Sequence, residues 1–314
     1  MVRPFVQKLR DRFYQYRNRA LMALMRKPAF VRLVMWAMKR RARAAERIFF
    51  YRHTLPVRIM HWTNAVVLAI MLMSGLQIFN ATPALYWGQY SDFAHPIVAL
   101  HAVQNNDGSL GGVTQIGPWT FNTTGVLGLS DVDGQPTQRG FPSWATIPGP
   151  QWLAMGRLWH FFFAWFFVVN GVAFAAYAFW SGHFRSELLP KPEDLKHLPQ
   201  EIVDHARLRF AKGEAAKHYN ALQKLTYFLV IFGLGPLVVL TGLTMSPTMD
   251  AAFPFLPWLF GGRQSARTIH FLCAFSFLGF FIIHIVMVVL SGTWNNVRSM
   301  ITGRYAIEPE TGHG

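Results

Sequence analysis

The sequence predicts an all-α membrane protein: a four-transmembrane-helix bundle with both termini cytoplasmic and a long extracytoplasmic loop. Composition is the first observation, because 52% of the 314 residues are hydrophobic and 14% are charged, whereas about 25% are charged in a typical soluble domain. The second is four apolar segments, each longer than the roughly 20 helical residues that cross a bilayer core. The third is an uneven distribution of Lys and Arg among the connections, which sets the orientation.

The four predicted spans cover residues 57–79, 152–180, 222–245 and 265–291. None of these segments contains Asp or Glu. Trp152, Tyr177 and Trp180 lie near the ends of the second span, where aromatic side chains suit the headgroup region. Cys273 is the single cysteine, so an intrachain disulfide is excluded.

Charge distinguishes the connections between spans. Residues 1–58 contain sixteen Lys and Arg and two acidic residues, whereas residues 80–150 contain four Asp and a single cation, Arg139. Because cationic segments stay cytoplasmic, the loop at 80–150 is predicted to be extracytoplasmic and the loop at 181–221 cytoplasmic. The net charge of +15 would also suit nucleic acid, but the apolar runs favour a membrane protein without a nucleic-acid partner.

The predicted organisation is a basic extension (1–50), a four-helix domain (51–305) and a tail (306–314). Residues 20–48 mix apolar and basic side chains, which predicts an amphipathic helix on the lipids of the inner leaflet; a solvated tail is the alternative. The extracytoplasmic loop is rich in Gly, Pro, Asn and Thr and is long for a compact domain, so we expect a function for it, with short strands and turns. The cytoplasmic loop is expected to be helical in part from Glu201 to Lys217.

Four histidines lie inside the predicted spans, and ionisable residues there mark functional sites. His270 and His284 are fourteen residues apart, which is about 21 Å along a helix and roughly 40° around its axis. They therefore lie on one face, near opposite sides of the bilayer. His61 is near the inner end of the first span and His160 near the outer end of the second. By depth, His160 pairs with His270 and His61 with His284.

Two imidazole pairs stacked in one bundle predict two haem b groups, each with two axial histidines. Imidazole suits iron, and facing helices supply the ligands in helical bundles. A closed zinc site is a poorer explanation because it needs about four ligands at one depth. No Cys-x-x-Cys-His is present, which excludes a covalently attached c-type haem. Taken singly, each histidine could instead bond a neighbouring helix, and His53 is the reserve ligand if His61 is not one.

Two glycines lie on the same helix faces as predicted ligands. Gly75 follows His61 by fourteen residues and Gly171 follows His160 by eleven. A glycine inside a helix costs about 1 kcal/mol relative to Ala, and close approach of a flat macrocycle would offset that cost. Helix–helix packing through small residues is the alternative.

Three arginines, Arg58, Arg157 and Arg267, each stand three residues before a predicted ligand. That spacing puts them on the same helix face as the histidine and nearer the water. Since Arg binds carboxylates bidentately, we predict that they bind haem propionates. Ordinary anchoring at the membrane interface is the alternative.

Several stretches resemble the bacterial di-haem cytochrome b family over about residues 50–305: VRIMHWTNA at His61, GRLWHFFFAW at His160, HYNALQKLTY opening the third span, and ARTIHF at His270 with His284. That family includes the cytochrome b (gamma) subunits of formate dehydrogenases, the nickel–iron hydrogenase cytochrome b and the thiosulfate reductase cytochrome b subunit. The resemblance implies a subunit of the bacterial inner membrane that links an extracytoplasmic redox partner to the quinone pool.

The extracytoplasmic loop departs from the formate dehydrogenase pattern. Its stretches GLQIFNATPALYWG and FNTTGVLGLS are more similar to family members that occur with sulfite-oxidase-like molybdopterin oxidoreductases. The resemblance therefore implies that this loop docks a molybdopterin oxidoreductase.

The resemblance also implies a quinone site. In formate dehydrogenase gamma subunits, the Asn of a Tyr-Asn-x-x-Gln-Lys stretch lies at the quinone pocket near the inner haem. The matching residues here are Asn220, Gln223 and Lys224. A helix N-cap role for Asn220 is the alternative.

The predicted function is electron transfer between an outer partner, an outer haem (His160/His270), an inner haem (His61/His284) and quinone near Asn220. Three alternatives remain open: a transporter that uses intramembrane histidines as proton relays, a haem-free membrane anchor, and a stand-alone transmembrane reductase of a small substrate. The transporter would be expected to carry acidic residues in its spans, and none is present.

Overall fold

The computed structural model describes residues 25, 27–45, 48–209 and 219–307. Their helices are α1 (Pro28–Ala45), α2 (Leu55–Phe79), α3 (Leu153–Trp180), α4 (Pro192–Ala206), α5 (Ala221–Phe228), α6 (Gly235–Thr244), α7 (Pro247–Ala252), α8 (Phe255–Phe260), α9 (Arg263–Leu290) and α10 (Thr293–Thr302). Their strands are β1 (Ile48–Tyr51), β2 (Ala84–Leu85), β3 (Val98–Gln104), β4 (Leu110–Ile116), β5 (Trp119–Asn122), β6 (Gly128–Val132), β7 (Gln135–Arg139) and β8 (Arg304–Ile307).

Four of the described helical stretches are long and apolar enough to cross a membrane. Span 1 is α2, span 2 is α3, span 3 runs from Ala221 to Thr244, and span 4 is α9. Each bound agrees with the sequence prediction to within two residues, so the four-helix membrane architecture is confirmed. Span 1 packs against span 2, and the outer part of span 3 packs against span 4.

Polar contacts join spans 1 and 2 at two depths. Asn170 on span 2 donates through Nδ2 to Met60 O at 3.0 Å and to Asn64 Oδ1 at 2.8 Å on span 1. At the inner end, the Thr54 and Tyr177 hydroxyls lie 2.8 Å apart. Amide and hydroxyl contacts of this kind stabilise helix pairs in lipid by roughly 0.6 kcal/mol on average.

Span 3 is not a uniform α-helix. A π-helical segment, Leu229–Leu234, separates α5 from α6. Pro236 follows it, and a proline inside a helix has no N–H to donate and clashes with the carbonyl four residues earlier. The wide turn therefore accommodates the proline within a continuous membrane span.

The extracytoplasmic loop forms two small antiparallel sheets, which confirms the expectation of short strands there. One sheet has the order β2-β3-β4-β5, and the other is the hairpin β6-β7. The hairpin turns at Asp133 and Gly134, which have φ of 53° and 79°. An Asp-Gly pair with positive φ at both positions is the usual two-residue hairpin turn.

The loop rests on the outer end of span 4. Gly88 N donates to Ser265 Oγ at 2.7 Å, and Thr268 Oγ1 donates to Tyr86 O at 2.6 Å. Gly262 has a φ of 114°, and a Cβ there would lie 2.5 Å from Gly88 O. A glycine is therefore required where the loop backbone meets the start of span 4.

The helix expected within Glu201–Lys217 is confirmed from Glu201 to Ala206, and it begins earlier than expected. It is α4, Pro192–Ala206, and it begins where Asp194 Oδ2 accepts a hydrogen bond from Lys191 N at 2.9 Å. Pro192 suits the first turn because its missing N–H would have no helical partner. The later part of the expected helix, 210–217, lies outside the described residues.

The described residues divide into two compact units, and the strands β1 and β8 belong to the smaller one together with α1. β1 pairs antiparallel with β8, with Ile48 opposite Ile307. The strand pair crosses both predicted domain boundaries, at 50 and at 305. Helix α1 lies within the segment predicted to be amphipathic, and the residues before Met25 lie outside the described part.

Candidate functional site

The four histidines meet as two pairs. The ring centroids of His160 and His270 are 6.2 Å apart, and those of His61 and His284 are also 6.2 Å apart. Span 4 contributes one ring to each pair, and its two histidines are separated by about 21 Å of helix. We call His160/His270 the outer pair and His61/His284 the inner pair.

Span 1 holds His160 of the outer pair. His160 Nδ1 lies 3.1 Å from Met71 O and 3.2 Å from Ser74 Oγ. A carbonyl oxygen can only accept, so Nδ1 carries the proton and Nε2 keeps a free lone pair. Ser74 is fully buried, and a Cβ on Gly75 would lie 3.3 Å from His160 Cε1.

Span 3 holds His270 in the same way. His270 Nδ1 lies 2.9 Å from Val238 O and 3.2 Å from Thr241 Oγ1. Thr241 is fully buried, and a Cβ on Gly242 would lie 3.2 Å from His270 Cε1. Both outer rings therefore present Nε2 as the free nitrogen.

Sequence reasoning missed these contacts, although a signal is present. Residues 74–76 read Ser-Gly-Leu and residues 241–243 read Thr-Gly-Leu. Each tripeptide lies in the outer half of a span, and each is followed in the next span by Arg-x-x-His, at Arg157 and at Arg267. The repeated pattern corresponds to two helix pairs that build the outer pair in the same way.

The inner pair has different surroundings. His284 stacks on Phe280 with centroids 5.9 Å apart, and Trp62 packs edge-on against His61 at 5.3 Å. His61 Nδ1 is buried and has no hydrogen-bond partner among the described residues. One polar contact between helices lies beside His61 in sequence: Asn170 of span 2 donates to the carbonyl of Met60.

The geometry of both pairs fits six-coordinate haem iron. A metal–imidazole bond is about 2 Å long, and the ring centroid lies roughly 1 Å beyond the bound nitrogen. Two imidazoles that held one iron between them would therefore have centroids about 6 Å apart. Because Nδ1 of each outer ring carries the proton and donates it to a neighbouring helix, Nε2 is the atom that would hold a metal. His61 can hold an iron as well, because its Nδ1 has no hydrogen-bond partner among the described residues that would prevent this.

The two predicted packing glycines have different environments. Gly75 lies against the imidazole of His160, and a larger residue at this position would crowd that ring. A Cβ on Gly171 would meet nothing within 4 Å among the described residues. Gly171 follows Asn170, which contacts the backbone beside His61, so it lies at the depth of the inner pair.

The three predicted propionate ligands also differ. Arg267 donates through Nη2 to Thr82 O at 2.6 Å and lies over the ring of Phe79. Arg157 lies over the ring of Phe161 and is exposed. The Nε of Arg58 is buried without a hydrogen-bond partner among the described residues, which leaves it available to an anion near the inner pair.

The predicted quinone residues lie where α4 meets the start of span 3. Asn220 caps α5: its Oδ1 accepts from Gln223 N at 2.8 Å, and its own N–H donates to Gln223 Oε1 at 3.3 Å. Asn220 Nδ2 lies 3.3 Å from His205 Nε2. The capping role considered from the sequence is therefore present, and the quinone role remains a prediction.

Lys224, the third predicted quinone residue, is buried and pairs with Asp194 on α4 at 3.0 Å. The pKa of Asp194 is lowered, first by the hydrogen bond from the Lys191 backbone and then by Lys224. This ion pair fixes α4 to the inner end of span 3.

An aromatic cluster connects the extracytoplasmic loop to the outer pair. Phe141 of the loop packs against Phe79 at 5.7 Å, Phe271 at 6.4 Å and Phe275 at 6.1 Å. Phe271 follows His270 in sequence. The loop is held by buried Arg139, whose Nε donates to Phe141 O at 2.6 Å. The loop thus packs on the part of span 4 that carries His270.

Comparison with known proteins adds a family. The model of the prokaryotic cytochrome b561 family matches residues 136–303, which include His160, His270 and His284. The putative protein-methionine-sulfoxide reductase subunit YedZ1 of Azospira oryzae is 24% identical over 238 residues, covering 76% of this chain and 90% of that protein. No solved structure matches the chain.

Proposed function

We propose, from the premise that the chain belongs to the prokaryotic cytochrome b561 family, that it is a di-haem b-type cytochrome subunit. In this role it transfers electrons between an extracytoplasmic molybdopterin oxidoreductase and the quinone pool. The family makes the chain a haem-containing electron-transfer subunit of the bacterial inner membrane. The count of two haems, the partner and the quinone are the proposal.

The observation that carries the proposal is the pair of 6.2 Å histidine contacts at two depths of one bundle. Haem b, when bound, supplies an iron that gains and loses one electron. The chain supplies the imidazoles that hold such an iron, and their surroundings tune its potential. Arg58, Arg157 and Arg267 are the candidate propionate partners. Of these three, Arg58 has a buried Nε–H with no hydrogen-bond partner among the described residues.

The extracytoplasmic partner is supported by the loop. Its described residues expose large aromatic side chains, namely Trp87, Tyr90, Phe93, Trp119 and Trp144. Its one cation, Arg139, is buried, so the four aspartates of residues 80–150 dominate its charge. Aromatic residues are enriched at protein interfaces. The related Azospira protein is named as a reductase subunit, which also supports a partner enzyme.

Haem content is the experiment that tests the main proposal. Protein purified from haem-replete cells is expected to give a reduced-minus-oxidised b-type spectrum with close to two haems per chain. A colourless preparation would refute the proposal and favour a histidine-relay transporter or a haem-free anchor. One haem per chain would refute the two-site arrangement.

The quinone site is tested at Asn220 with two variants. Aspartate caps helices as well as asparagine does, but it has no N–H to offer a quinone carbonyl. If Asn220 binds quinone, Asn220→Asp and Asn220→Ala both slow haem oxidation by quinone, and both keep two haems. If Asn220→Asp oxidises its haems with quinone at the normal rate and only Asn220→Ala loses thermal stability, Asn220 is a helix cap and not a quinone ligand.

The partner surface is tested by copurification of the chain with a molybdopterin oxidoreductase from the cells in which the chain naturally occurs. Replacing Trp119 and Tyr90 by Ser is expected to weaken recovery of the molybdenum protein while the haem content stays unchanged. Replacing the exposed Trp294, which lies in α10 on the cytoplasmic side, serves as the control. Undiminished recovery would place the docking surface elsewhere.

We further propose that α1 and the basic extension lie on anionic lipids of the inner leaflet. Leu33 and Met35 of this helix are exposed apolar side chains, and basic residues nearby attract anionic headgroups. Amide hydrogen exchange of residues 28–45 is expected to slow in nanodiscs of anionic lipid relative to zwitterionic ones. Equal exchange in both lipids would favour a solvated extension.

A further inference from the structure

Spans 1 and 3 hold the outer histidines with the same arrangement of three residues. In each, a backbone carbonyl accepts from the histidine, a hydroxyl three residues later lies at 3.2 Å from the same nitrogen, and a glycine follows the hydroxyl. These residues are Met71, Ser74 and Gly75 in span 1, and Val238, Thr241 and Gly242 in span 3.

The direction of each hydroxyl is fixed by its own helix. Ser74 Oγ donates to Ile70 O at 2.7 Å, and Thr241 Oγ1 donates to Leu237 O at 2.8 Å. Since each hydroxyl has one proton, its oxygen can only accept from the histidine. The Nδ1–H of each outer ring is therefore shared between a carbonyl and a hydroxyl oxygen.

The glycines make this contact possible. A Cβ at Gly75 or Gly242 would lie 3.3 or 3.2 Å from Cε1 of the ring, closer than carbon atoms ordinarily pack. Their absence of a side chain lets the imidazole reach the hydroxyl and the carbonyl of the neighbouring helix.

We propose that Ser74 and Thr241 are positioning residues that fix the orientation of both outer haem ligands and lower the reduction potential of the outer haem. The inference rests on the proposed binding of haem by His160 and His270. A hydrogen bond accepted from Nδ1–H raises the basicity of the ligand. A more basic ligand stabilises the oxidised iron, so the one-electron reduction becomes less favourable.

The test is a spectroelectrochemical titration of the purified, haem-loaded full-length chain. Thr241→Val removes the hydroxyl with little change of shape, and Ser74→Ala does the same in span 1. Each is expected to shift the outer haem toward the reduced form by roughly threefold to tenfold at a fixed potential, a partial effect because the carbonyl bond remains. Repeating the titration in a His284→Ala background isolates the outer haem.

Thr244→Val is the matched control. Thr244 is also fully buried, and its hydroxyl donates to Leu240 O at 2.8 Å within its own helix. Thr241→Ser and Ser74→Thr keep the hydroxyl and are expected to keep the wild-type potential. The low-spin electron paramagnetic resonance signal of the outer haem, which reports ligand orientation, is expected to move in Thr241→Val and not in Thr244→Val.

Each outcome decides the proposal. Selective loss or shift of the outer haem in Thr241→Val and Ser74→Ala, with both conservative variants normal, supports it. Two haems with unchanged potentials in those variants overturn it while leaving the proposed function intact. An equal shift in Thr244→Val also overturns it, because removal of any buried hydroxyl would then suffice. A wild-type chain without haem overturns the proposed function itself.

Discussion

The outer and inner histidine pairs have the same 6.2 Å separation but are held by different contacts. In the outer pair each ring bonds a carbonyl and a hydroxyl of the neighbouring span. In the inner pair His61 Nδ1 has no partner among the described residues, and aromatic rings pack around both imidazoles. The two pairs thus have the same spacing but different support. Hydrogen bonds fix the rings of the outer pair, whereas near the inner pair the hydrogen bonds join the helices and do not reach the ring of His61.

The difference has a functional meaning. A site whose ligands are oriented before haem enters loses less conformational freedom on binding. The outer pair, beside the extracytoplasmic loop, is thus built for a fixed geometry. If the inner pair binds haem as proposed, the orientation of its two rings would depend more on that haem than on hydrogen bonds from the protein. The following predictions test this contrast.

Removing a ligand should have the largest effect and should separate the two sites. His270→Ala is expected to remove the outer haem and keep the inner one, and His284→Ala to do the reverse, so each chain retains about one haem. Haem quantification with redox titration measures this. Loss of both haems from either variant in equal measure would break the division into two independent pairs.

Partial denaturation should rank the two sites. Because the outer rings are held by the protein, the inner haem is expected to dissociate first as denaturant or temperature increases. Transfer of haem to an excess of apomyoglobin, followed by absorbance, gives the two rates. Earlier loss of the outer haem would reverse the comparison.

Replacing single glycines by alanine should affect the outer and inner haems separately. Gly75→Ala and Gly242→Ala are expected to destabilise the outer haem by about 1–3 kcal/mol, because the new methyl group overpacks against a ligand ring. Gly171→Ala is expected to weaken the inner haem instead, through the proposed contact with its macrocycle. Unchanged retention of the inner haem in Gly171→Ala would leave Gly171 as an ordinary small residue of span 2.

The Asn170 contact should influence the inner site through the helices. Asn170→Leu removes two hydrogen bonds to span 1 beside His61 and is expected to lower stability by about 1 kcal/mol, with faster loss of the inner haem. Ser276→Ala, whose hydroxyl donates within its own helix to Leu272 O, is the control. Faster loss of the outer haem alone would contradict this assignment.

The smallest expected effect is at Asp194. Its pKa is lowered in the folded state, so its stabilising contribution is present above the unfolded pKa of about 3.9 and is lost as pH falls through the folded pKa. Asp194→Asn is expected to lower Tm modestly at neutral pH, and the difference from wild type should narrow toward pH 4 and below. A difference independent of pH would mean that charge is not the cause.

The sequence was sufficient for the features that depend on local pattern. Apolar length predicted the four spans, and the fourteen-residue spacing put His270 and His284 on one face of span 4. The contacts of Ser74 and Thr241 were not predicted, because they depend on which helix lies beside each histidine. The quinone role that the motif predicts for Lys224 stays a prediction. Its ion pair with Asp194, thirty residues earlier, could not be inferred from local sequence pattern.

The π-helical segment Leu229–Leu234 gives span 3 a spare residue. An extra residue absorbed by a wide turn leaves the helix on either side facing as it would without the insertion. Deleting one residue inside this segment should thus keep Thr241 facing His270, although the tightened turn would no longer accommodate Pro236. A deletion between Leu237 and Leu240 should instead rotate Thr241 by about 100°. A change in the length of span 3 is therefore expected to preserve the direction of Thr241 only when it falls within Leu229–Leu234. The roughly 3.6-residue period cannot be used across this segment to predict which residues share a helix face.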